Sequence, residues 1–174
     1  LVIQHTAAHH FDSSLGQHGS LGIVQARAPF IAAGAGVRSL GIVDASARMI
    51  DVAPSIAWLL GVDDHPEGVG PTGRTRPGAL LRRQDGDPLT DLFDRGGAQH
   101  VVVLLLDGCN SNVLYDAIDG GHAPAIAALA ERGSTLGHGL FASLPTATLA
   151  NHTTASTGAH PGHSGVLHNM WFNR

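Results

Sequence analysis

The sequence predicts an α/β fold in which helices flank a mainly parallel sheet. Six consecutive apolar residues in HVVVLLLDG, residues 100–108, are typical of a strand buried on both faces. APAIAALAERG, residues 123–133, follows with apolar residues at helical spacing and a closing glycine. An extended pattern at 134–143 and a helical one at 151–157 continue the alternation, which is the order of elements in α/β proteins.

The composition is that of a folded domain with a hydrophobic core. The chain has 174 residues, of which 43% are hydrophobic and 14% are charged. Its formal net charge of −4 predicts no basic face for nucleic acid. No apolar run reaches the roughly 20 residues of a membrane-spanning helix. Cys109 is the only cysteine, which excludes a disulfide within the chain and a cysteine-based zinc site.

The first fifty residues predict extended segments separated by a polar loop. Residues 1–4 are apolar and predict a short strand, whereas residues 5–20 are rich in His, Ser and Gly and predict a loop. Residues 28–34 have the pattern of a buried strand, and residues 41–50 are also expected to be extended. The chain opens without Met or a signal-like segment, so we expect a fragment or a processed chain.

A helix is predicted over residues 51–61, and an irregular segment follows it. Asp51 is the expected N-cap, Pro54 lies in the first turn and Gly61 stands just beyond the end. Residues 62–98 are rich in Gly, Pro and charged residues without a sustained period. They predict a linker or an extended surface segment.

Asp107 is the first candidate for chemistry because of its position after the strongest predicted strand. Ligands of open α/β sheets bind beyond the carboxyl ends of the strands, where a metal-binding or catalytic carboxylate is expected. The alternative is a structural Asp-Gly turn formed with Gly108.

Thr148 is the second candidate, within LPTATLANH at residues 144–152. A helix that begins at Asn151 would direct its free amides and positive dipole end toward this hydroxyl, where an anion such as phosphate is favoured. A threonine hydroxyl becomes an effective nucleophile only when a base or a metal lowers its pKa. The alternative is that Thr148 or Asn151 simply caps the helix.

The chain contains 12 histidines, and neutral imidazole is a common zinc ligand. His9, His10 and His18 lie in the polar loop that follows the first predicted strand, which is where metal ligands are best sought. Asp64-His65 lies inside the Gly/Pro-rich segment, and we do not expect this pair to bind a metal.

Residues 99–174 resemble the opening of the nucleotide pyrophosphatase/phosphodiesterase branch of the alkaline phosphatase superfamily. The resemblance rests on HVVVLLLDG, PAIAALAERGS and LPTATLANHTTASTGAHPGHSGVLHN, in that order. The family pattern has a strand ending in Asp-Gly, then P-x-L-x-x-L-x-x-x-G, P-T-x-T-x-x-N-H and T-G-x-x-P-x-x-H-G. This chain departs from it mildly, with Leu149-Ala150 in place of the frequent Phe-Pro and Ser164 where a second His often stands.

The resemblance implies a role for several residues of this block. Asp107 would be the first metal ligand, and Thr148, the second threonine of P-T-x-T, would be the metal-bound nucleophile. Asn169 and the backbone amide of Leu149 would hold a phosphoryl oxygen. The cofactors implied are two divalent metal ions, most simply Zn²⁺, and the partner implied is a small-molecule phosphate ester or nucleotide.

Residues 1–75 resemble the closing part of the same domain. GQHGSLG, ARAPFIAAGAGV and DVAPSIAWLLGV are similar to H-G-S, R-x-P-x-I-x-x-G-P-G and D-I-A-P-T-I-x-x-L-L-G, and PEGVGPTGR is similar to the P-E-G-x-x-G-R that follows. His18 would then be the last histidine ligand of the two-metal site. The family order is inverted, which a permuted gene or an excerpt across tandem domains would explain.

The expected organisation is a closing block at 1–61, a linker at 62–98 and an opening block at 99–174. The family's intervening Asp-x-x-x-His and Asp-His motifs have no counterpart here, so the alkaline-phosphatase-like sheet is only partly represented. We expect a phosphodiesterase-like parent acting through a phospho-threonine, and an isolated chain that binds metal weakly and is inactive. The alternatives are a phosphomonoesterase, a sulfatase or a phosphonoacetate-hydrolase-like enzyme on the same scaffold, or a non-catalytic remnant that acts as a binding module.

Overall fold

A computed structural model describes residues 22–170 of the chain. The strand predicted at 1–4, the loop predicted at 5–20 and the candidate ligand His18 lie outside the described residues. The described part is α/β, as predicted, but its sheets are small and mixed.

Within residues 22–170, six short strands form two three-stranded sheets. In chain order they are β1 (Arg27–Ala28), β2 (Ile31–Ala32), β3 (Gly41–Val43), β4 (Ala47–Arg48), β5 (Ser134–Leu136) and β6 (Leu140–Phe141). One sheet has the order β1-β6-β4 and the other has the order β2-β5-β3. Each central strand pairs antiparallel with one neighbour and parallel with the other. The prediction of a mainly parallel sheet is therefore not met within the described residues.

Proline and glycine explain why the predicted strands are shorter than their apolar patterns. Pro29 has no N–H to donate, and it separates β1 from β2, which belong to different sheets. Gly139 divides the strand predicted at 134–143, since its φ of +64° is left-handed and a Cβ there would lie 2.2 Å from the Ala28 carbonyl oxygen. One predicted strand thus becomes β5 and β6, and each joins a different sheet.

Helices account for the rest of the regular structure. They are α1 (Ile23–Ala26), α2 (Val52–Leu59), α3 (Ser111–Asp119), α4 (Pro124–Arg132), α5 (Thr148–Thr157) and α6 (Pro161–Ser164), with a 3-10 turn at Met49–Asp51. The structure confirms the helices predicted at 51–61 and 123–133, with Gly61 left-handed just beyond the first. None of the helices within residues 22–170 is long and apolar enough to cross a membrane.

The apolar run at residues 101–106 does not form the predicted buried strand. It has no strand partner within the described residues, and its side chains are exposed by between 36% for Val101 and 85% for Val102. Burial on both faces requires neighbouring strands and covering helices. Residues 22–170 place neither around this run.

The hydrophobic core lies where the two sheets meet α2 and the irregular segment 62–98. Its buried members are Ala47, Leu59, Leu92, Phe93, Leu136 and Leu140. Segment 62–98 forms no helix or strand, yet it contributes Leu92 and Phe93 to this core. The division of the chain into three blocks remains a prediction.

Candidate functional site

Thr148 is the first residue of α5, because the helix begins three residues earlier than predicted. The N-cap position belongs to Ala147, whose side chain accepts no hydrogen bond from the helix. The alternative, in which Thr148 or Asn151 caps the helix, is therefore wrong. Thr148 is half-buried in the first turn, at the positive dipole end of a ten-residue helix.

Asn151 fixes the chain segment that leads into Thr148. Its side chain is buried, and its Oδ1 accepts a hydrogen bond from the Ser143 amide at 2.7 Å. Its Nδ2 lies 3.1 Å from the Ser143 carbonyl oxygen, 3.0 Å from that of Pro145 and 3.2 Å from that of Ala147. One amide side chain thus ties three of the five residues before Thr148 to the first turn of α5. A side chain expected to cap the helix instead shapes the loop in front of it.

Leu149 and Asn169, the two groups that the resemblance assigns to a phosphoryl oxygen, lie in contact. The Leu149 amide donates a hydrogen bond to Asn169 Oδ1 at 2.9 Å, across a separation of 20 residues. Asn169 is half-buried and Leu149 is exposed, so solvent reaches this contact. The arrangement places an amide side chain within reach of the backbone donor next to Thr148.

Asp107 lies in an exposed Asp-Gly turn rather than at the end of a strand. Its Oδ1 accepts a hydrogen bond from the Gly108 amide at 3.0 Å, and Gly108 has a left-handed φ of +67°. Within residues 22–170, no three His, Cys, Asp or Glu side chains converge well enough to hold a metal ion. The proposed ligand His18 lies outside the described residues, so the metal site that the resemblance implies stays a prediction.

A polar cluster that the sequence did not predict lies at the other end of α5. The side chain of Asp85 is fully shielded from solvent, and its Oδ2 lies 2.6 Å from His163 Nδ1 and 2.8 Å from the His160 amide nitrogen. Arg83 forms an ion pair with the same carboxylate at 3.4 Å. Burial alone would raise the pKa of Asp85, but the hydrogen bonds from His160 and His163 lower it below its ordinary value. This carboxylate is therefore charged.

Comparison with known protein families finds one match. Residues 101–174, less than half of the chain, match the family described as Type I phosphodiesterase / nucleotide pyrophosphatase. The family is a group of hydrolases that act on phosphodiester and pyrophosphate bonds. The resemblance of this segment to the phosphodiesterase branch is confirmed, and that of residues 1–75 remains a prediction. Comparison with curated proteins and with solved structures finds no match.

Proposed function

We propose that the chain carries the nucleophile and the phosphoryl-binding groups of a phosphoric ester hydrolase of the phosphodiesterase/nucleotide pyrophosphatase type. The family match over residues 101–174 carries this proposal, because it covers Thr148, Leu149 and Asn169 together. The contact between Asn169 and the Leu149 amide supports it further, since residues 20 positions apart meet beside the proposed nucleophile.

In the proposed reaction, Thr148 Oγ attacks phosphorus in line with the leaving oxygen. The new O–P bond forms as the bond to the leaving oxygen breaks, and the hydroxyl proton of Thr148 passes to solvent. This yields phospho-threonine, which keeps the remaining ester group of a diester substrate, and the free alcohol or phosphate. Water then attacks the same phosphorus, the O–P bond to Thr148 breaks, a phosphate or phosphate monoester is released, and Thr148 Oγ regains a proton. The position of Thr148 at the start of α5 supports this role, because helix N-terminal amides stabilise the negative charge of the phosphoryl oxygens.

Leu149 and Asn169 would bind one equatorial phosphoryl oxygen. A ligand oxygen would replace Asn169 Oδ1 as the acceptor for the Leu149 amide. Asn169 would then turn its Nδ2 toward the same oxygen, so that two neutral donors face the developing charge. Each such donor typically contributes about 2.7–4 kcal/mol to transition-state stabilisation.

We further propose that the parent protein uses two divalent metal ions, most simply Zn²⁺, to activate the nucleophile and to bind the leaving oxygen. The ligands proposed in this chain are Asp107, Thr148 and His18. A zinc ion usually takes about four ligands, so three residues cannot hold two ions. The isolated chain would therefore bind zinc weakly and turn over little substrate.

The complete parent would have an alkaline-phosphatase-like sheet, of which this chain holds a part. The exposed run at residues 101–106 supports this proposal, because six apolar residues, three of them β-branched valines, suit a strand that further strands would cover.

The test compares hydrolysis of bis-p-nitrophenyl phosphate by the isolated chain and by the full-length gene product, each supplied with Zn²⁺. We expect turnover by the full-length protein, its loss in Thr148→Ala, and little turnover by the isolated chain. Thr153→Ala is the matched control, because Thr153 is half-buried on the same helix. Full activity in Thr148→Ala would refute the role of Thr148. Faster hydrolysis of p-nitrophenyl phosphate than of the diester would favour a phosphomonoesterase instead.

A further inference from the structure

The exposure of the apolar run at residues 101–106 alternates from one residue to the next. Side chains of an extended chain point alternately to opposite faces, so this alternation indicates a strand with one face toward the protein and an outer face toward solvent. The exposed fractions are 85%, 77% and 59% for Val102, Leu104 and Leu106, against 36%, 47% and 45% for Val101, Val103 and Leu105. The outer face of the run therefore consists of three apolar side chains.

The backbone of the apolar run is as open as its outer face. None of its N–H or C=O groups has a hydrogen-bond partner within residues 22–170. Exposed strand edges in natural proteins usually carry a charged residue, a proline or a bulge that prevents pairing with another chain. The six residues of the run include no charged residue and no proline. Nothing in the run itself therefore opposes pairing with a further strand.

We propose that the apolar run pairs with the same run of a second copy of the chain, as an antiparallel ribbon centred on Leu104. His100 precedes the run and Asp107 follows it. Antiparallel pairing brings the His100 end of each copy to the Asp107 end of the other. Parallel pairing would set the two Asp107 carboxylates side by side, and like charges directly opposite each other are destabilising. The charges at the two ends thus favour a second copy in the antiparallel direction.

The outer face determines the register of the ribbon. A two-fold axis relates the two copies, so the central residue of the run lies opposite itself. Centring on Leu104 places Val102 of each copy opposite Leu106 of the other, so that every side chain of the outer face has an apolar partner. Centring on Val103 would instead place Leu106 opposite His100 of the other copy.

The small size of the interface predicts a reversible dimer. Six residues a side are far fewer than the roughly 20–30 a side of a stable protein–protein interface. The further strands proposed for the parent would cover the same run, so the dimer is a property of the 174-residue chain. The inference rests on the exposed run and not on the proposed hydrolase activity, and either can fail without the other.

Sedimentation velocity of the 174-residue chain measures the assembly, and we expect a monomer–dimer equilibrium whose dimer fraction rises with concentration. Cysteine cross-linking in a Cys109→Ser background measures the register. Leu104→Cys should form a disulfide-linked dimer on mild oxidation, because directly opposite residues have Cα atoms about 4.5–5.5 Å apart, within the range of a disulfide. His100→Glu should raise the dissociation constant about two- to fivefold, because it adds a carboxylate near Asp107 of the other copy.

Val102→Cys in the same background is the matched control, because Val102 and Leu104 are similarly exposed. In the proposed register the two copies of residue 102 lie about 14 Å apart along the ribbon, too far for a disulfide. Circular dichroism of each variant reports whether it is folded. A chain that stays monomeric at every concentration would overturn the proposal, and so would amide protection of residues 101–106 by another segment of the same monomer. Assemblies that grow beyond a dimer, or cross-linking of Val102→Cys as fast as that of Leu104→Cys, would also contradict it.

Discussion

Replacing Asn151 with alanine tests whether one buried side chain holds the loop that presents Thr148. The amide of Asn151 has one oxygen acceptor and two N–H donors, so its four short contacts amount to at most three full hydrogen bonds. A hydrogen bond contributes about 1 kcal/mol net to stability, so we expect Asn151→Ala to lower the free energy of unfolding by about 3 kcal/mol. The loss of unfolding free energy is larger if the buried Ser143 amide stays without a hydrogen-bond partner in the variant.

Thermal and urea unfolding followed by circular dichroism measure this loss. For a chain of this size, about 3 kcal/mol corresponds to a melting temperature roughly 6–12 °C lower. Asn112→Ala is the control, because Asn112 is exposed and its side chain bonds to Arg27 on the surface. We expect less than about 1 kcal/mol there. Equal destabilisation by the two substitutions would refute the role assigned to Asn151.

Three further substitutions or titrations test other parts of the structure. Burial raises the pKa of Tyr115, the only tyrosine, so its absorbance at 295 nm should titrate above the ordinary value of about 10. The stability that it contributes is present below pH 10 and is lost as pH rises through the raised pKa. Gly86→Ala should destabilise by about 1–3 kcal/mol or more, because a Cβ there would lie 2.2 Å from the Ile50 carbonyl oxygen. Val102→Lys with Leu104→Lys should reduce self-association in light scattering without lowering the melting temperature, since both side chains are largely exposed.

Each of these predictions has its own control. A native titration midpoint equal to that in 6 M guanidinium would show that Tyr115 is not buried. Gly162→Ala should be tolerated, because nothing lies within 4 Å of a Cβ built there. A large fall in melting temperature for the double lysine variant would show that the apolar run is packed.

Local signals in the sequence were sufficient to predict helices α2 and α4. Gly61 and Gly133 end these helices at the predicted places, and apolar periodicity marks their bodies. Helix α3 was missed, although Asn110 accepts hydrogen bonds from two amides of its first turn and is the kind of residue that marks a helix start. The strands were harder to predict, because β3 pairs with β5 across about ninety residues and each has only three residues.

In the candidate site, too, features set by neighbouring residues could be predicted from the sequence, whereas contacts between distant residues could not. Thr148 and its loop are encoded in one short stretch, whereas the partner of Leu149 comes from Asn169. The buried cluster around Asp85 was not predicted, because Asp85 lies in a segment rich in Gly, Pro and charged residues that has no regular pattern. Its partner His163 also lies 78 residues away in the sequence. The run at residues 101–106 has the pattern of a buried strand, but burial depends on partners that its own sequence does not contain.

The central claim, that Thr148 is the nucleophile of a phosphoric ester hydrolase, is tested most directly by trapping its covalent intermediate. The full-length gene product, supplied with Zn²⁺ and bis-p-nitrophenyl phosphate, would be quenched in acid during turnover and its peptides analysed by mass spectrometry. The account predicts a p-nitrophenylphosphoryl adduct on Thr148 that is absent from Thr148→Ala, together with loss of turnover in that variant. Sustained turnover with no adduct on Thr148, or with an adduct on another residue, would contradict it.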